Sequence, residues 1–196
     1  MKKLLLCTII IVVSVTACKK DKNNQISFSI KNLISLLEKS SDNITDLSPG
    51  EFDTKNDNYL YYYLGNKIDG VDEAFIFYHF ANDSCNYIDI ISNYINVLDD
   101  AKDLMTLADN EMGTAESYNL NYYVDSSTLL KVTYDTSSKI WAYVDSAGIN
   151  VKNIDQIYGR YHYNDYYILA GGYYFDSYKG FLSLIEIVFY DNLAKT

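Results

Sequence analysis

Histidine and cysteine are few in this chain, and their spacing restricts the proton transfer or nucleophilic chemistry they could do. There are two histidines. His79 sits within Phe75-Ile76-Phe77-Tyr78-His79-Phe80, and His162 lies between Tyr161 and Tyr163. They are far apart, and neither belongs to a His-x-His or His-Glu-x-x-His pattern, so no metal-ligand spacing is present. Each reads as a strand side chain hydrogen-bonded to a neighbour. Cys85 follows Asp83-Ser84. A Cys–His nucleophile would need the His79 imidazole within hydrogen-bond reach of that thiol, and no family signature surrounds the cysteine. No Gly-x-Ser-x-Gly elbow, Ser-x-x-Lys, phosphate loop or dinucleotide fingerprint occurs. Gly171-Gly172 sits inside an apolar run and reads as a bulge or a close backbone approach in a strand.

Carboxylates are plentiful: 26 acidic residues stand against 16 basic ones, a net charge of −10. Asp69-Gly70-Val71-Asp72-Glu73 offers oxygen ligands but lacks the alternation of an EF-hand loop. Asp99-Asp100-Ala101-Lys102-Asp103 stands at an expected helix start, where acids favour the positive end of the dipole. Both read as solvated surface. A glycosidase needs two carboxylates at fixed separation across a cleft, and nothing in the sequence singles out such a pair. No metal and no cofactor is expected. The acidic balance argues against nucleic acid as a partner, because phosphate contacts need basic surface.

Aromatic residues carry the best binding signal. All 21 tyrosines lie between Tyr59 and Tyr190, and none falls in the first 58 residues. Tyr, Asn, Ile and Lys share AT-rich codons, so composition bias accounts for part of this richness. The placement is more informative. Tyr61-Tyr62-Tyr63, Tyr122-Tyr123, the stretch from Tyr158 to Tyr167 and Tyr173-Tyr174 fall in strand-like runs. Neighbouring residues of a strand face opposite sides, so each doublet puts one ring on each face. Exposed tyrosines supply rigid amphipathic contact area. The candidate binding residues are Tyr61, Tyr63, Tyr122, Trp141, Tyr161, Tyr163 and Tyr173. Cross-strand packing is the alternative use of the same rings.

The elements that must position these residues follow from pattern. Ile30, Leu33, Ile34 and Leu37 recur at helical spacing, which predicts an amphipathic helix over 26–39. Residues 40–58 are polar around Pro49-Gly50 and read as a loop. Residues 59–64 and 74–81 read as strands joined by a loop over 66–70. Residues 86–98 are ambiguous between helix and strand. Residues 99–112 read as a helix stopped by Gly113. Strands are expected over 118–124, 128–134 and 139–144, with a turn at Asp135-Thr136-Ser137-Ser138. Asn150 is placed to cap a short helix carrying Val151, Ile154 and Ile157. Strands follow over 158–163, 166–175 and 181–190, with a hairpin turn over 176–180. The last strand is apolar on both faces, which predicts a central strand covered on both sides. The fold class expected is α+β, a mainly antiparallel sheet with helices packed on it, forming one domain over 26–196. Two small helix-plus-sheet units are the alternative.

The N-terminus carries an address. Met1-Lys2-Lys3 is a positive start, and residues 4–15 form an apolar run of about 18 Å as a helix, too short to span a bilayer. Val15-Thr16-Ala17-Cys18 then resembles the lipobox of bacterial lipoproteins. That resemblance implies a signal peptide over 1–17, cleavage before Cys18, and acyl chains on Cys18 that anchor the protein, with a lipidated tether over 18–25. An ordinary signal peptide with a chance cysteine and a retained anchor helix are the alternatives. Lys19 in place of Asp favours the outer membrane by resemblance to enteric lipoproteins. Lys19-Lys20-Asp21-Lys22-Asn23-Asn24 resembles the charged tethers of Bacteroides-group lipoproteins. Removing residues 1–17 would leave 14 basic against 26 acidic residues, a net charge of −12, and Cys85 as the single unmodified thiol.

The stretch 148–189 is similar in pattern to the helix-then-sheet unit of small outer-membrane assembly lipoproteins and of β-lactamase-inhibitor proteins. The function these readings imply is a non-catalytic envelope lipoprotein, anchored through Cys18, whose acidic tyrosine-rich domain binds another envelope or secreted protein, of immunity or inhibitor type. A glycan-binding accessory lipoprotein and a hydrolase with a carboxylate or Cys–His site are the alternatives.

Overall fold

The computed structural model describes residues 25–55, 58–175 and 179–189. The lipobox, the signal peptide and all of the tether but Gln25 lie outside these residues, as does most of the expected turn over 176–180. The described residues build nine strands: β1 (Glu51–Lys55), β2 (Tyr59–Gly65), β3 (Ala74–Ala81), β4 (Ser84–Ile95), β5 (Ser117–Tyr123), β6 (Leu129–Tyr134), β7 (Ile154–Tyr163), β8 (Tyr166–Phe175) and β9 (Gly180–Phe189). They form one antiparallel sheet in the order β1-β2-β3-β4-β9-β8-β7-β5-β6. Four helices pack on it: α1 (Ile30–Ile34), α2 (Ser41–Leu47), α3 (Leu98–Met112) and α4 (Ser137–Ser146). This is the α+β arrangement expected. The last strand takes the fifth of nine places, the central position expected, but the described helices lie on its Phe181, Ser183, Ile185 and Ile187 side alone, not on both sides.

Strand alternation separates two faces. On the helix side lie Leu60, Tyr62, Ile76, Tyr78, Ile88, Ile90, Ile185, Ile187, Ile168, Ala170, Ile157, Tyr161, Tyr118 and Leu120, all buried. Helix α3 lies across β7, β8 and β9 with Ala101, Leu104, Met105 and Ala108 inward. A polar lock fixes its position. Tyr161 Oη donates to Asp109 Oδ1 at 2.8 Å, and the Tyr118 hydroxyl donates to the same oxygen. Burying two phenols is tolerable because each hydroxyl has an acceptor.

Several local expectations give way to tertiary context. The helix expected over 26–39 is α-helical only over Ile30–Ile34. Ser29 caps it by accepting from Asn32 N at 3.1 Å, and Glu38 ends the turn that follows with φ 67°, its N–H donating to Cys85 O at 2.7 Å. The loop expected over 40–58 holds α2, which buries Ile44, and the exposed edge strand β1. Residues 86–95 are strand within β4, whose branched and aromatic residues suit a place inside the sheet, and Leu98 already opens α3. The strand expected over 139–144 is helix α4. Thr136 is its N-cap, accepting from Lys139 N at 3.4 Å, and Ile140, Trp141 and Val144 form its buried stripe. The expected turn at 135–138 is therefore a helix start. Asn150 does cap, accepting from Lys152 N at 3.0 Å, but only a single 3-10 turn over Val151–Asn153; Ile154 and Ile157 belong to β7.

Gly171 has φ 154°, and a Cβ built there would collide with the Ile157 carbonyl oxygen and stand 2.7 Å from Tyr158 Cα. The close approach expected of this glycine pair is real. Gly171→Ala is expected to destabilise the protein by about 2–4 kcal/mol, combining an unfavourable φ with overpacking. Urea denaturation of the two proteins checks this.

Candidate functional site

The face of the sheet opposite the helices is covered by no described element. It carries Tyr59, Tyr61 and Tyr63 from β2, Phe75, Phe77 and His79 from β3, Tyr87 and Asp89 from β4, Glu186 from β9, Tyr167 and Tyr173 from β8, and Tyr158, Arg160 and His162 from β7. Most of these rings are half-buried and pack on one another, and Leu169, Leu182 and Leu184 on the same face are buried outright. Tyr61 stacks on Phe77 at 4.5 Å and on Phe75 at 5.0 Å. Tyr158 stacks on Tyr173 at 5.8 Å and 16°. The Tyr61 phenol is pushed up to about 12, first by burial and then by the charge of Asp53.

A row of paired residues crosses the middle of this face: Tyr61, Phe77, Asp89, Glu186, Leu169 and Arg160. Asp89 is only 9% exposed. Its Oδ2 lies 3.0 Å from His79 Nε2, and its Oδ1 has no hydrogen-bond partner among the described residues. Tyr87 Oη donates to Glu186 Oε1 at 2.9 Å. Burial raises the Glu186 carboxyl above the ordinary range; the Tyr87 bond lowers it, and the neighbouring Asp89 charge raises it again. Burial also raises the phenol of Tyr87, reinforced by Asp89 and Glu186. Arg160, the single arginine, lies 5.5 Å over the Tyr167 ring.

The candidate binding residues divide between the two faces. Tyr61, Tyr63 and Tyr173 lie on the open face. Tyr122, Trp141 and Tyr161 do not: they are 7%, 7% and 2% exposed. Tyr122 shares a 2.7 Å hydroxyl contact with Tyr143 of α4, and Tyr161 is held by Asp109. Tyr163 also lies on the helix side, with Lys31 of α1 5.9 Å above its ring. These four are packing residues, because strand parity and an amphipathic helix turn them inward. Cys18 lies outside the described residues.

The other chemistry falls out as follows. Cys85 is buried on the helix side, donates to Tyr87 O and has its thiol pushed up to about 12 by burial. His79 points to the opposite face, so the two do not meet. His79 is bonded to a strand neighbour, as expected. The two acidic clusters come together in space. Asp103 packs against Gly70, and buried Asp100 accepts from Ser92. Burial first, and then neighbouring aspartates (Asp103, Asp72 and Asp99 for Asp100; Asp99 for Asp103), raise the carboxyls of Asp100 and Asp103. Asp100 is thus part of the interior rather than the solvated surface expected. Among the described residues no group of three or more His, Cys, Asp or Glu is placed to hold a metal ion.

Sequence reasoning passed over Asp89, Glu186 and Arg160. A signal existed: Asp89 and Glu186 are each the single charge of their strand, and Arg160 is the one arginine of the chain. What was missing was the register that puts them in one row.

No family model and no curated protein matches the chain. Among solved structures it is similar to a cysteine-rich secretory protein of Staphylococcus aureus, with a TM-score of 0.32 and 11% identity over 87% of this chain. The chain spans about half of that structure, 50% of its length. No helix among the described residues is long and apolar enough to cross a membrane.

Glu186 gives a pH test with a defined sign. Its folded pKa lies above the unfolded value of about 4.3. The folded state therefore favours the protonated carboxyl, and ionisation is unfavourable to folding. Glu186→Gln keeps an acceptor for Tyr87 and removes the charge. Its stability relative to the unmodified protein is expected to rise as pH increases from about 4, levelling above the folded pKa. Thermal melts at pH 4, 5, 6 and 7 check the trend.

Proposed function

We propose that this chain is a membrane-anchored bacterial envelope lipoprotein that acts by binding another envelope or secreted protein through the open face of its sheet. The observation that carries the reading is the aromatic face opposite the helices, with one ring group on β2 and β3 and another on β7 and β8. Large apolar patches rimmed by polar residues mark interaction surfaces, and tyrosine-rich ones suit protein partners. Stacking turns several ring faces toward each other rather than outward, which favours a protein over a sugar that needs an open ring face. Asp89 and Glu186 are in-register neighbours on adjacent strands, not opposite walls of a cleft, and this favours recognition over hydrolysis. The acidic balance of the chain supports a basic partner. The anchor rests on Val15-Thr16-Ala17-Cys18 alone.

Two experiments test this. Cys18→Ala is expected to move the protein from the membrane to the soluble fraction on cell fractionation; a variant that stays on the membrane overturns the lipid anchor. A photo-crosslinker placed at Tyr61 of the full chain in cells is expected to capture one stoichiometric protein. The same group at Leu130, an exposed residue on the helix side, is expected to capture none. Phe77→Ala is expected to weaken the Tyr61 capture at least about tenfold, the effect of losing a central aromatic anchor. Equal capture from both positions overturns the assignment of the face.

A further inference from the structure

We infer that the β1 edge of the sheet, led by the side chain of Phe52, rests on the lipid surface that holds Cys18, so that the domain stands on this edge. This goes beyond the protein-binding reading and rests on the lipid anchor within it. The first observation is where the chain enters the domain. Gln25 Nε2 donates to Gly50 O at 3.2 Å, and Ile26 N donates to Leu47 O at 2.9 Å. Entry is therefore at the junction of α2 and β1, at one end of the strand order. Seven residues, Cys18 to Asn24, precede Gln25. Fully extended, a segment of that length reaches at most about 25 Å. Nine strands leave eight spacings, about 38 Å from β1 to β6. The tether is shorter than the sheet is wide, so anchoring brings β1 to the lipid before any other strand.

The second observation is what this edge exposes. All five residues of β1 are exposed. Phe52 is 54% exposed, more than any other large hydrophobic side chain among the described residues. Its ring meets Tyr62 edge-on at 5.5 Å, at the rim of the helix side. Ile26 and Leu47, both partly buried, lie at the same end. Charge there is mixed: Glu51 and Asp53 stand with Lys55 in β1, and Lys67 Nζ donates to the nearby Pro49 O. The outer backbone groups of an edge strand need water or another polar partner. A hydrated headgroup layer supplies both, and mixed charge suits zwitterionic lipids. The Phe52 ring reaches past that layer to the acyl boundary, where apolar side chains of surface-bound elements sit.

One exposed ring offers too little area for a protein interface and would not hold an untethered domain on a membrane. Anchored through Cys18, it needs no such strength, because the short tether makes docking an intramolecular step at high effective concentration. The tether itself carries Lys19, Lys20 and Lys22 against Asp21, which favours lipid phosphates. Standing on β1, the sheet rises from the membrane. The rings of Tyr61 and Phe77 on β2 and β3 are then near its foot, those of Tyr158 and Tyr173 on β7 and β8 are higher, and all stay open to a partner from the side.

The test uses the full chain purified from the membrane fraction of bacteria and placed in phosphatidylcholine–phosphatidylethanolamine vesicles. Bromine on the acyl chains just below the headgroups quenches tryptophan on contact. Trp141 is 7% exposed and supplies a constant background. Phe52→Trp is expected to lose at least half of its added emission in brominated relative to unbrominated vesicles. Leu130→Trp, on β6 at the far edge, is expected to lose none. A second reading needs no substitution at the edge. Amide hydrogen exchange at residues 51–55 is expected to be at least threefold slower in the vesicle-bound chain than in Cys18→Ala in solution, with no change at residues 129–134. Equal quenching at the two positions, or no quenching and no slowing at the β1 edge of a chain that floats with the vesicles, overturns the inference and leaves the anchor. An unmodified chain that does not float with the vesicles removes the anchor and the inference with it.

Discussion

Strand β9 is made last and sits in the middle of the sheet, hydrogen-bonded to β4 on one side and β8 on the other. The pairing of Tyr87 with Val188 joins residues about a hundred positions apart, and through it the β1–β4 half meets the β5–β9 half. Neither half presents a closed edge until this strand is in place. Helix α3 depends on the same strand, since it lies across β7, β8 and β9 and is tied down by Tyr161 and Tyr118 at Asp109. Such long-range pairing is entropically demanding and tends to form late in folding. The Phe181, Ser183, Ile185 and Ile187 side of β9 is almost fully enclosed, which returns apolar burial for that demand.

The one-sided covering of the sheet follows from where the helices are. α3 and α4 occupy the same side, and α1 and α2 contribute Ile30, Leu33 and Ile44 to the same core. Strand alternation then forces every second residue onto a face with no partner element among the described residues. The chain fills that face with rings, which cover one another by stacking as no row of short polar side chains could. The row through Asp89, Glu186 and Arg160 interrupts this apolar surface with charges held in partial burial. Charge in that setting is costly to structure and useful for recognition, because desolvated groups gain more from a well-placed partner.

Much of the fold could be read directly from residue order. The run Tyr59 to Leu64 alternates between half-buried and buried, and residues 166–175 and 181–189 behave as strands as their branched and aromatic content requires. Gly113 ends α3 with a positive φ, as a glycine stop should. Where the reading failed, local preference competed with context. Ile140-Trp141-Ala142-Tyr143-Val144 has strand-like residues, yet the Thr136 cap and the ion pair between Lys139 and Asp135 at 2.7 Å belong to a helix. Polar residues 40–58 hid α2 and β1, because a short helix burying one isoleucine and an exposed edge strand leave almost no hydrophobic period.

The sequence by itself determined the strand-rich α+β class, the central place of the last strand, and the tyrosine-bearing runs from which any binding face must be drawn. These depend on local periodicity, which a linear reading preserves. Only the tertiary structure decided which rings meet solvent. Tyr61, Tyr63 and Tyr173 fall on the open face, while Tyr122, Trp141, Tyr161 and Tyr163 fall on the helix side. Only it placed Asp89 beside Glu186, with Arg160 two strands further along the same row. The physical reason is register. A one-residue slip reverses the face of every side chain in a strand, and register is fixed by the joint packing of nine strands rather than by any one of them.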